Sequence, residues 1–232
     1  MHLYKYKTLN NFKYFEDIIA NNRLYLPKLK ELNDPLEGIC NMNFGFAGCS
    51  YYFGTPVVHP HYQSALDSFR VLALTDNPNS IVMWAHYGDQ FKGVCIQFKQ
   101  RGALAAAKQV NYSNNLIDPL DSLKYIPMTE LAQVTLMQKS KEWEYEREYR
   151  VLVNDDRQYF QLDKGDIEAV YIGFNTSTEN IELVRSVCEQ YEIPYYVTCM
   201  NTYAYSTQNV LLDDFKNGIW KNSNNYQKYP LK

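Results

Sequence analysis

The sequence lacks the features that identify several large classes of protein. Its five cysteines include no C-x-x-C pair, which argues against a disulfide framework and against a zinc knuckle, and indicates a reducing cytoplasm. No apolar run approaches the roughly 18–20 residues that cross a bilayer, and Met1 leads directly into polar sequence. We therefore expect a cytoplasmic protein that has no signal peptide and does not contact a membrane.

The sequence also lacks a large excess of either positive or negative charge. The net charge is −3 and the isoelectric point is near 5.8, so bulk electrostatics does not favour coating of nucleic acid, although a local basic cleft is compatible with these values. The phosphate-loop motif G-x-x-x-x-G-K-[ST], the dinucleotide motif G-x-G-x-x-G, the serine-hydrolase motif G-x-S-x-G and the zincin motif H-E-x-x-H do not occur. The functions that depend on those motifs lose their main support.

The chain has the composition of a globular protein, with 46% hydrophobic and 21% charged residues, and it is rich in aromatics, with 21 Tyr and 11 Phe. We predict a single α+β domain over residues 1–216, with an irregular excursion at 40–68, followed by a polar C-terminal tail at 217–232. Short strands and helices are interspersed without regular alternation, which favours a mixed, mostly antiparallel sheet with peripheral helices.

Hydrophobic periodicity predicts the individual elements. Strands are expected at 3–6, 23–27, 69–75, 93–98, 143–153, 167–174 and 194–199. Helices are expected at 9–21, from Ser80 to Tyr87, at 101–109, at 122–141 with an interruption at Pro127, and at 177–191.

The segment from Trp143 to Val153 is the most informative part of the sequence. A two-residue period puts aromatic and aliphatic side chains on one face, and puts Glu142, Glu144, Glu146, Glu148 and Arg150 on the other. Glutamates at neighbouring positions of one face repel each other, so cations or a ligand should oppose them. One interpretation is a solvated face neutralised by Arg150, Lys139 and Lys141; the other is a binding site in which Glu146 and Glu148 lie about 7 Å apart.

Two further groups of residues are candidates for a site. The segment Trp84-Ala85-His86-Tyr87-Gly88 offers aromatic surface with hydrogen-bonding groups, although Trp84 and His86 also suit structural roles. The loop Asn33-Asp34-Pro35-Leu36-Glu37-Gly38 is suited to bind a ribose or phosphate edge, or to form a simple Asx turn. His59 and His61 resemble a metal pair by residue type alone, with no third ligand at a useful spacing, so we predict no metal site.

Several segments together resemble a bacterial family known as domain of unknown function 2971. The resemblance runs through Leu3-Tyr4-Lys5-Tyr6, Leu24-Tyr25-Leu26, the loop from Asn33 to Glu37, Trp84 to Gly88, Lys92 to Ile96 and Trp143 to Arg150, and covers roughly residues 3 to 200. The family name implies no activity.

The order of these parts also resembles the ADP-ribosyltransferase fold, especially its branch of bacterial DNA-modifying toxins. This resemblance implies a split sheet, NAD as substrate and Glu148 as the catalytic carboxylate. It implies that Glu146 orients the acceptor or assists proton removal. The residues expected to bind NAD are Lys5, Tyr6, Asn33, Asp34, Thr75, Trp84, His86 and Tyr87. The first strand departs from the pattern, because it carries only Lys5 between tyrosines where an Arg or a His-x-Thr is usual.

The resemblance implies a toxin or a phage-defence effector that modifies nucleic acid or protein, and it leaves room for a neutralising antitoxin. One alternative is a metal-dependent nuclease, because Glu148-x-Arg150 is similar to the Glu-x-Lys of restriction-endonuclease folds, although Arg activates water less readily than Lys. Another is a non-catalytic sensor of a defence system that binds a nucleotide.

Overall fold

The computed structural model of the chain describes residues 1–40, 51–52, 55–56, 60–117, 126–201 and 203–212. The predicted tail at 217–232, Cys49 and His59 lie outside these residues, as does the first part of the helix expected at 122–141. Within the described ranges, every helix is too short or too polar to cross a bilayer. The chain is α+β, and it divides into two compact units that are each built from separate stretches of the sequence.

The first unit comprises residues 1–23, 74–105 and 161–232. Its strands are β1 (His2–Lys7), the end of β5 (Arg70–Thr75), β6 (Val94–Lys99), β12 (Ile167–Gly173), β13 (Tyr195–Met200) and β14 (Thr207–Leu211). They lie in the order β14-β13-β12-β6-β1-β5. β12 and β13 pair in parallel, and their neighbours pair antiparallel, so the sheet is mixed and mostly antiparallel as predicted.

In its described residues, the first unit contains the helices α1 (Phe12–Asn21), α3 (Ile81–His86) and one at Thr178–Gln190, which we label α5. Helix α1 buries Phe15, Ile18 and Ile19 on one face, which is the 3.6-residue pattern seen in the sequence. Helix α3 begins after Ser80, whose hydroxyl accepts a hydrogen bond from the Met83 amide, and ends before Gly88 as expected. These helices confirm the predictions made from periodicity and capping.

The second unit comprises residues 24–73 and 106–160. It contains the first part of β5, then β7 (Lys108–Gln109), β8 (Asn111–Ser113), β9 (Gln138–Ser140) and β10 (Glu148–Val153), with β10 between β5 and β7. β8 and β9 form a separate parallel pair. Two helices pack together, α2 (Pro60–Asp67) and a helix at Met128–Leu136, which we label α4.

The remaining elements are short. β2 (Arg23–Tyr25) and β11 (Tyr159–Gln161) form a two-stranded pair, as do β3 (Tyr51–Tyr52) and β4 (Thr55–Pro56). Short 3₁₀ helices occur at Leu29–Glu31, Gly102–Ala106 and Lys141–Glu146. Helix α2 lies inside the excursion that we expected to be irregular. The sequence did not predict it, because PHYQSALD is only weakly periodic and the helix is stabilised by packing against α4.

The prediction of a strand from Trp143 is wrong for residues 143–147. Lys141–Glu146 forms a 3₁₀ helix capped by Ser140, whose hydroxyl accepts a hydrogen bond from the Glu142 amide. Arg147 follows with a φ of 47°, a left-handed conformation that ends the helix and starts β10 at Glu148. The alternating polarity was compatible with a strand, but the capping hydroxyl and the left-handed residue stabilise a 3₁₀ helix there instead.

The core between α2 and α4 fixes the position of the loop at residues 33–38. The Tyr62 hydroxyl is 2.7 Å from the Gly38 carbonyl oxygen, to which it donates, and 2.6 Å from the Thr135 hydroxyl. Gly38 has a φ of +71°, and a Cβ at this position would lie 2.8 Å from Leu66. The end of this loop therefore depends on a buried hydroxyl and on the absence of a side chain.

Replacing Tyr62 by Phe should lower the free energy of unfolding by about 1–3 kcal/mol, because the buried Gly38 carbonyl loses its donor. Tyr14→Phe makes the same chemical change at a tyrosine that is 65% exposed, and should change stability by less than about 0.5 kcal/mol. Urea unfolding of both variants checks this, and equal unfolding midpoints would contradict the role assigned to Tyr62.

Candidate functional site: a buried charge cluster beside a cleft

Lys139 lies at the centre of a buried cluster of charged side chains in the second unit. Its Nζ is 2.6 Å from Glu146 Oε2, 3.2 Å from Glu148 Oε2 and 3.7 Å from Glu37 Oε1. The ammonium also lies 4.7 Å from the centre of a Trp143 ring, a favourable distance for a cation–π contact. Three carboxylates from different segments thus converge on one cation.

Arg150 is the second cation of the cluster, and its guanidinium makes five hydrogen bonds. Nε and Nη2 donate to the two oxygens of Glu148 at 2.6 and 3.0 Å. Nη1 and Nη2 donate to the two oxygens of Glu37, the first at 2.8 Å, and Nη1 also donates to the Leu136 carbonyl oxygen at 2.6 Å. The planar guanidinium therefore holds two carboxylates in bidentate geometry.

The backbone brings the cluster together from four places. Glu37 comes from the loop fixed by Tyr62, Lys139 from β9, Glu146 from the 3₁₀ helix and Glu148 from the start of β10. The amide of Glu148 donates to the Tyr112 hydroxyl at 2.8 Å, and its carbonyl oxygen accepts from the Val110 amide at 2.9 Å. Because Arg147 turns the chain, Glu146 and Glu148 reach Lys139 without sharing one strand face.

The cluster is hidden from solvent. Glu148 and Glu146 are each 4% exposed and Arg150 is 2% exposed. The interpretation of a solvated acidic face is therefore wrong for these residues, although two of the three cations that it named, Lys139 and Arg150, do neutralise the glutamates. Lys141, the third, is exposed.

Burial and pairing act in opposite directions on these groups. Burial alone would raise the pKa of Glu148, but the charges of Arg150 and Lys139 outweigh it and hold that pKa below its usual range. For Glu37, burial prevails over the hydrogen bonds from Arg150 and raises the pKa. Burial would lower the pKa of Lys139, yet Glu148 and Glu146 raise it. Glu148 and Lys139 are therefore both held in their ionised forms.

A cleft of about 340 Å³ adjoins this cluster in the second unit. Lys139 and Asp34 are its charged lining residues. Amide and hydroxyl side chains make up most of the remainder, namely Ser113, Asn114, Asn115, Gln138 and Ser140, and the apolar lining consists of Leu36, Ile39 and Leu116. Seven of these ten lining residues are polar or charged, so the cleft offers many hydrogen-bonding groups beside a smaller aliphatic surface.

The walls of the cleft are fixed by local hydrogen bonds. The Asp34 carboxylate accepts from the Leu36 amide at 2.9 Å, which is the Asx turn expected from the sequence. Gln138 Nε2 donates to the Asn115 carbonyl oxygen at 2.8 Å, and the parallel pairing of β8 with β9 sets Ser113 opposite Ser140. Asn33, next to Asp34, is exposed.

The other residues predicted to bind NAD belong to the first unit. Trp84 is fully buried, stacks on Phe91 with ring centres 5.2 Å apart and donates from Nε1 to the Pro78 carbonyl oxygen at 3.0 Å. Tyr6 is buried edge-on against Trp84, and the Thr75 hydroxyl accepts from the Asn77 amide. The environment of Trp84 matches the core role that its residue type also suggested.

The surface of this aromatic segment is more open. His86 is exposed, and Tyr87 and Lys5 are half-buried. The next residues, Asp89, Gln90 and Phe91, all have positive φ angles, between 48° and 66°, a conformation that costs about 1–2 kcal/mol for each such residue. The first unit therefore holds a strained turn beside His86, anchored where the Phe91 carbonyl oxygen accepts from the Asn175 amide at 2.9 Å.

Sequence reasoning singled out Glu146 and Glu148, and left Glu37, Lys139 and Arg150 outside the predicted site. The signal was present, since Glu37 lies in the loop that was singled out and the two cations were named as candidate counter-ions. The cleft residues at 113–116 gave no signal. In the described part of the chain, no three His, Cys, Asp or Glu side chains form a metal-binding group.

Replacing Lys139 by Met should lower the free energy of unfolding by about 3–5 kcal/mol, because three buried carboxylates would lose a cation that lies within 3.7 Å of each. Lys141→Met removes the same charge from an exposed side chain two residues away and should cost less than about 0.5 kcal/mol. Chemical denaturation of the two variants measures the difference. Similar values for both would show that the buried pairing contributes little.

The destabilisation caused by Glu148→Gln and the destabilisation caused by Glu37→Gln should change with pH in opposite directions. The contribution of Glu148, whose pKa is lowered, is complete above the unfolded value of about 4.3 and is lost as the pH falls through the folded pKa. Glu148→Gln is thus most destabilising near neutral pH. The contribution of Glu37, whose pKa is raised, is complete below about 4.3 and is lost as the pH rises through the folded pKa. Glu37→Gln is thus most destabilising in acid.

Denaturation of both variants and the wild type between about pH 3 and pH 7 checks these opposite slopes. If the destabilisation by both variants grew in the same direction with pH, the account of the cluster's electrostatics would be wrong.

Comparison with known proteins gives a partial match to one family model and indicates no activity. Neither a search of curated proteins nor a search of solved structures finds a significant match. A family model does match part of the chain. The matched segment begins in α3 at Met83 and ends in β10, so that it includes Lys139, Glu146, Glu148 and Arg150. Over residues 83–151, the chain is similar to the family described as protein of unknown function (DUF2971).

Proposed function

We propose that the second unit binds a nicotinamide nucleotide such as NAD in its cleft, and that this recognition is the function the geometry supports best. The observation that carries the proposal is the cleft of about 340 Å³, with amide and hydroxyl groups in its walls and a charge cluster beside it. This volume is at the lower end of the range of about 300–1,000 Å³ for ligand pockets. It suits one nucleoside portion of the ligand.

Asp34 is the lining residue best suited to ribose. Its carboxylate can accept hydrogen bonds from hydroxyl groups while one oxygen stays bonded to the Leu36 amide. The apolar side chains Leu36 and Leu116 offer surface to the face of a base. Contacts of Lys5, Tyr6, Thr75, Trp84, His86 and Tyr87 with NAD remain predictions.

A second candidate function is ADP-ribosyl transfer from NAD by an ADP-ribosyltransferase-like fold, with Glu148 as the carboxylate. The observation that favours it is the lowered pKa of Glu148. A carboxylate about 4 Å from a developing sugar cation contributes roughly 4 kcal/mol at an effective dielectric of about 20, or about three decades in rate.

Transfer requires Glu148 to exchange partners, since its oxygens now accept from Arg150 and Lys139. Recognition requires no such exchange, and we therefore rank it first. The nuclease alternative is disfavoured, because the guanidinium that would replace its lysine is committed to five hydrogen bonds. A toxin or phage-defence role, an acceptor of nucleic acid or protein, and a neutralising antitoxin are proposals that depend on transfer.

NAD should bind saturably to the wild type in equilibrium dialysis, and Asn114→Trp should abolish binding because an indole fills the cleft. Asn154→Trp makes the same substitution at an exposed position outside the cleft and should bind normally. Unfolding midpoints of both variants control for folding. A wild type that fails to bind NAD would contradict the proposal.

Mass spectrometry of the same samples separates the two functions. Unchanged NAD supports recognition alone. Release of nicotinamide by the wild type and by Glu144→Gln, an exposed glutamate on the same segment, but not by Glu148→Gln, would establish transfer or hydrolysis.

A further inference from the structure

Carboxylates outnumber cations around the cleft, and this excess of negative charge affects which part of a nucleotide the cleft can bind. Glu37, Glu146 and Glu148 outnumber Lys139 and Arg150 in the cluster, and Asp34 adds another carboxylate in the wall. The net charge of these six residues stays negative even when Glu37 carries a proton. A buried charge of this kind is screened less by salt than a surface charge.

The lining also offers no cation that a phosphate could use. Among the lining residues that the structure describes, Lys139 is the single cation, and its side chain is 2% exposed with Nζ within 3.7 Å of three carboxylates. A phosphate would have to displace those carboxylates, and would itself be repelled by them. Phosphate sites in proteins use the opposite arrangement, with available Arg or Lys side chains or exposed backbone amides.

The remaining lining groups suit an uncharged or cationic ring. Side-chain amides both donate and accept hydrogen bonds, as the edge of a base or a carboxamide requires. Asn114, Asn115 and Gln138 supply three of them, beside the aliphatic surface of Leu36, Ile39 and Leu116. A negatively charged cleft also attracts a positively charged ring such as that of oxidised nicotinamide.

We infer that the cleft accepts the base-and-ribose end of its ligand, as a neutral or positively charged nucleoside, and excludes phosphate groups. This inference rests on the proposed function, because it assumes that the cleft is a nucleotide site. It assigns the phosphates of a ligand such as NAD to positions outside the cleft.

The test compares nucleosides with their 5′-monophosphates on the full chain by isothermal titration. The probes are nicotinamide riboside against nicotinamide mononucleotide, and adenosine against adenosine monophosphate. Each nucleoside should bind about tenfold more tightly than its monophosphate, because the phosphate adds repulsion. Asp34→Asn keeps the Asx turn, removes one wall charge and should narrow that ratio, whereas Asp156→Asn, at an exposed position, should leave it unchanged.

The outcomes separate the inference from the function on which it rests. Monophosphates that bind as tightly as the nucleosides, or more tightly, would overturn the inference and leave the cleft as a nucleotide site. A ratio that Asp34→Asn and Asp156→Asn change equally would overturn the role of the wall carboxylate. If none of the four probes bound although NAD bound in equilibrium dialysis, the inference would fall and the proposed function would stand. If NAD also failed to bind, both would fall.

Discussion

Two buried cations hold three carboxylates in the interior of the second unit, and the arrangement of its loops depends on that pairing. Moving a single charge from water into a protein interior costs several kcal/mol, so each member of the cluster is tolerated only while its partners stay in place. Glu37, Lys139 and Arg150 therefore link a loop near the N-terminus to strands more than a hundred residues later. We attribute to this cluster a role in specifying the geometry of the cleft, since buried ion pairs add little net stability over well-packed apolar groups.

Part of this arrangement could be predicted from the sequence. Alternating glutamates near residue 146 required opposing cations, and Lys139 and Arg150 were correctly named as candidates. The prediction of a strand through Trp143 was wrong, because Ser140 caps a 3₁₀ helix and Arg147 takes a left-handed conformation. Neither feature alters the alternation of polar and apolar residues from which the strand was predicted. The cleft could not be predicted from the sequence, because its lining residues at 113–116 and 138–140 are distant in sequence and come together only when β8 pairs with β9.

The aromatic residues of the first unit illustrate why residue type alone assigns function poorly. The residue type of Trp84 favoured a core position over a stacking surface for nicotinamide, and its burial against Phe91 matches the core position. The exposed His86 and the strained turn at Asp89–Phe91 are more distinctive, because strain of this kind persists only where surrounding contacts fix it. In the second unit, the balance of carboxylates and cations beside the cleft limits which chemical groups can enter it.

The measurement that tests this account most directly is a titration of the Glu148 side-chain carboxyl carbon by ¹³C NMR in the folded protein. The ion pairs with Lys139 and Arg150 predict that Glu148 titrates below the ordinary value of about 4.3. A Glu148 pKa above that value would mean that burial outweighs both cations, and would contradict the cluster as the constraint on which the second unit depends.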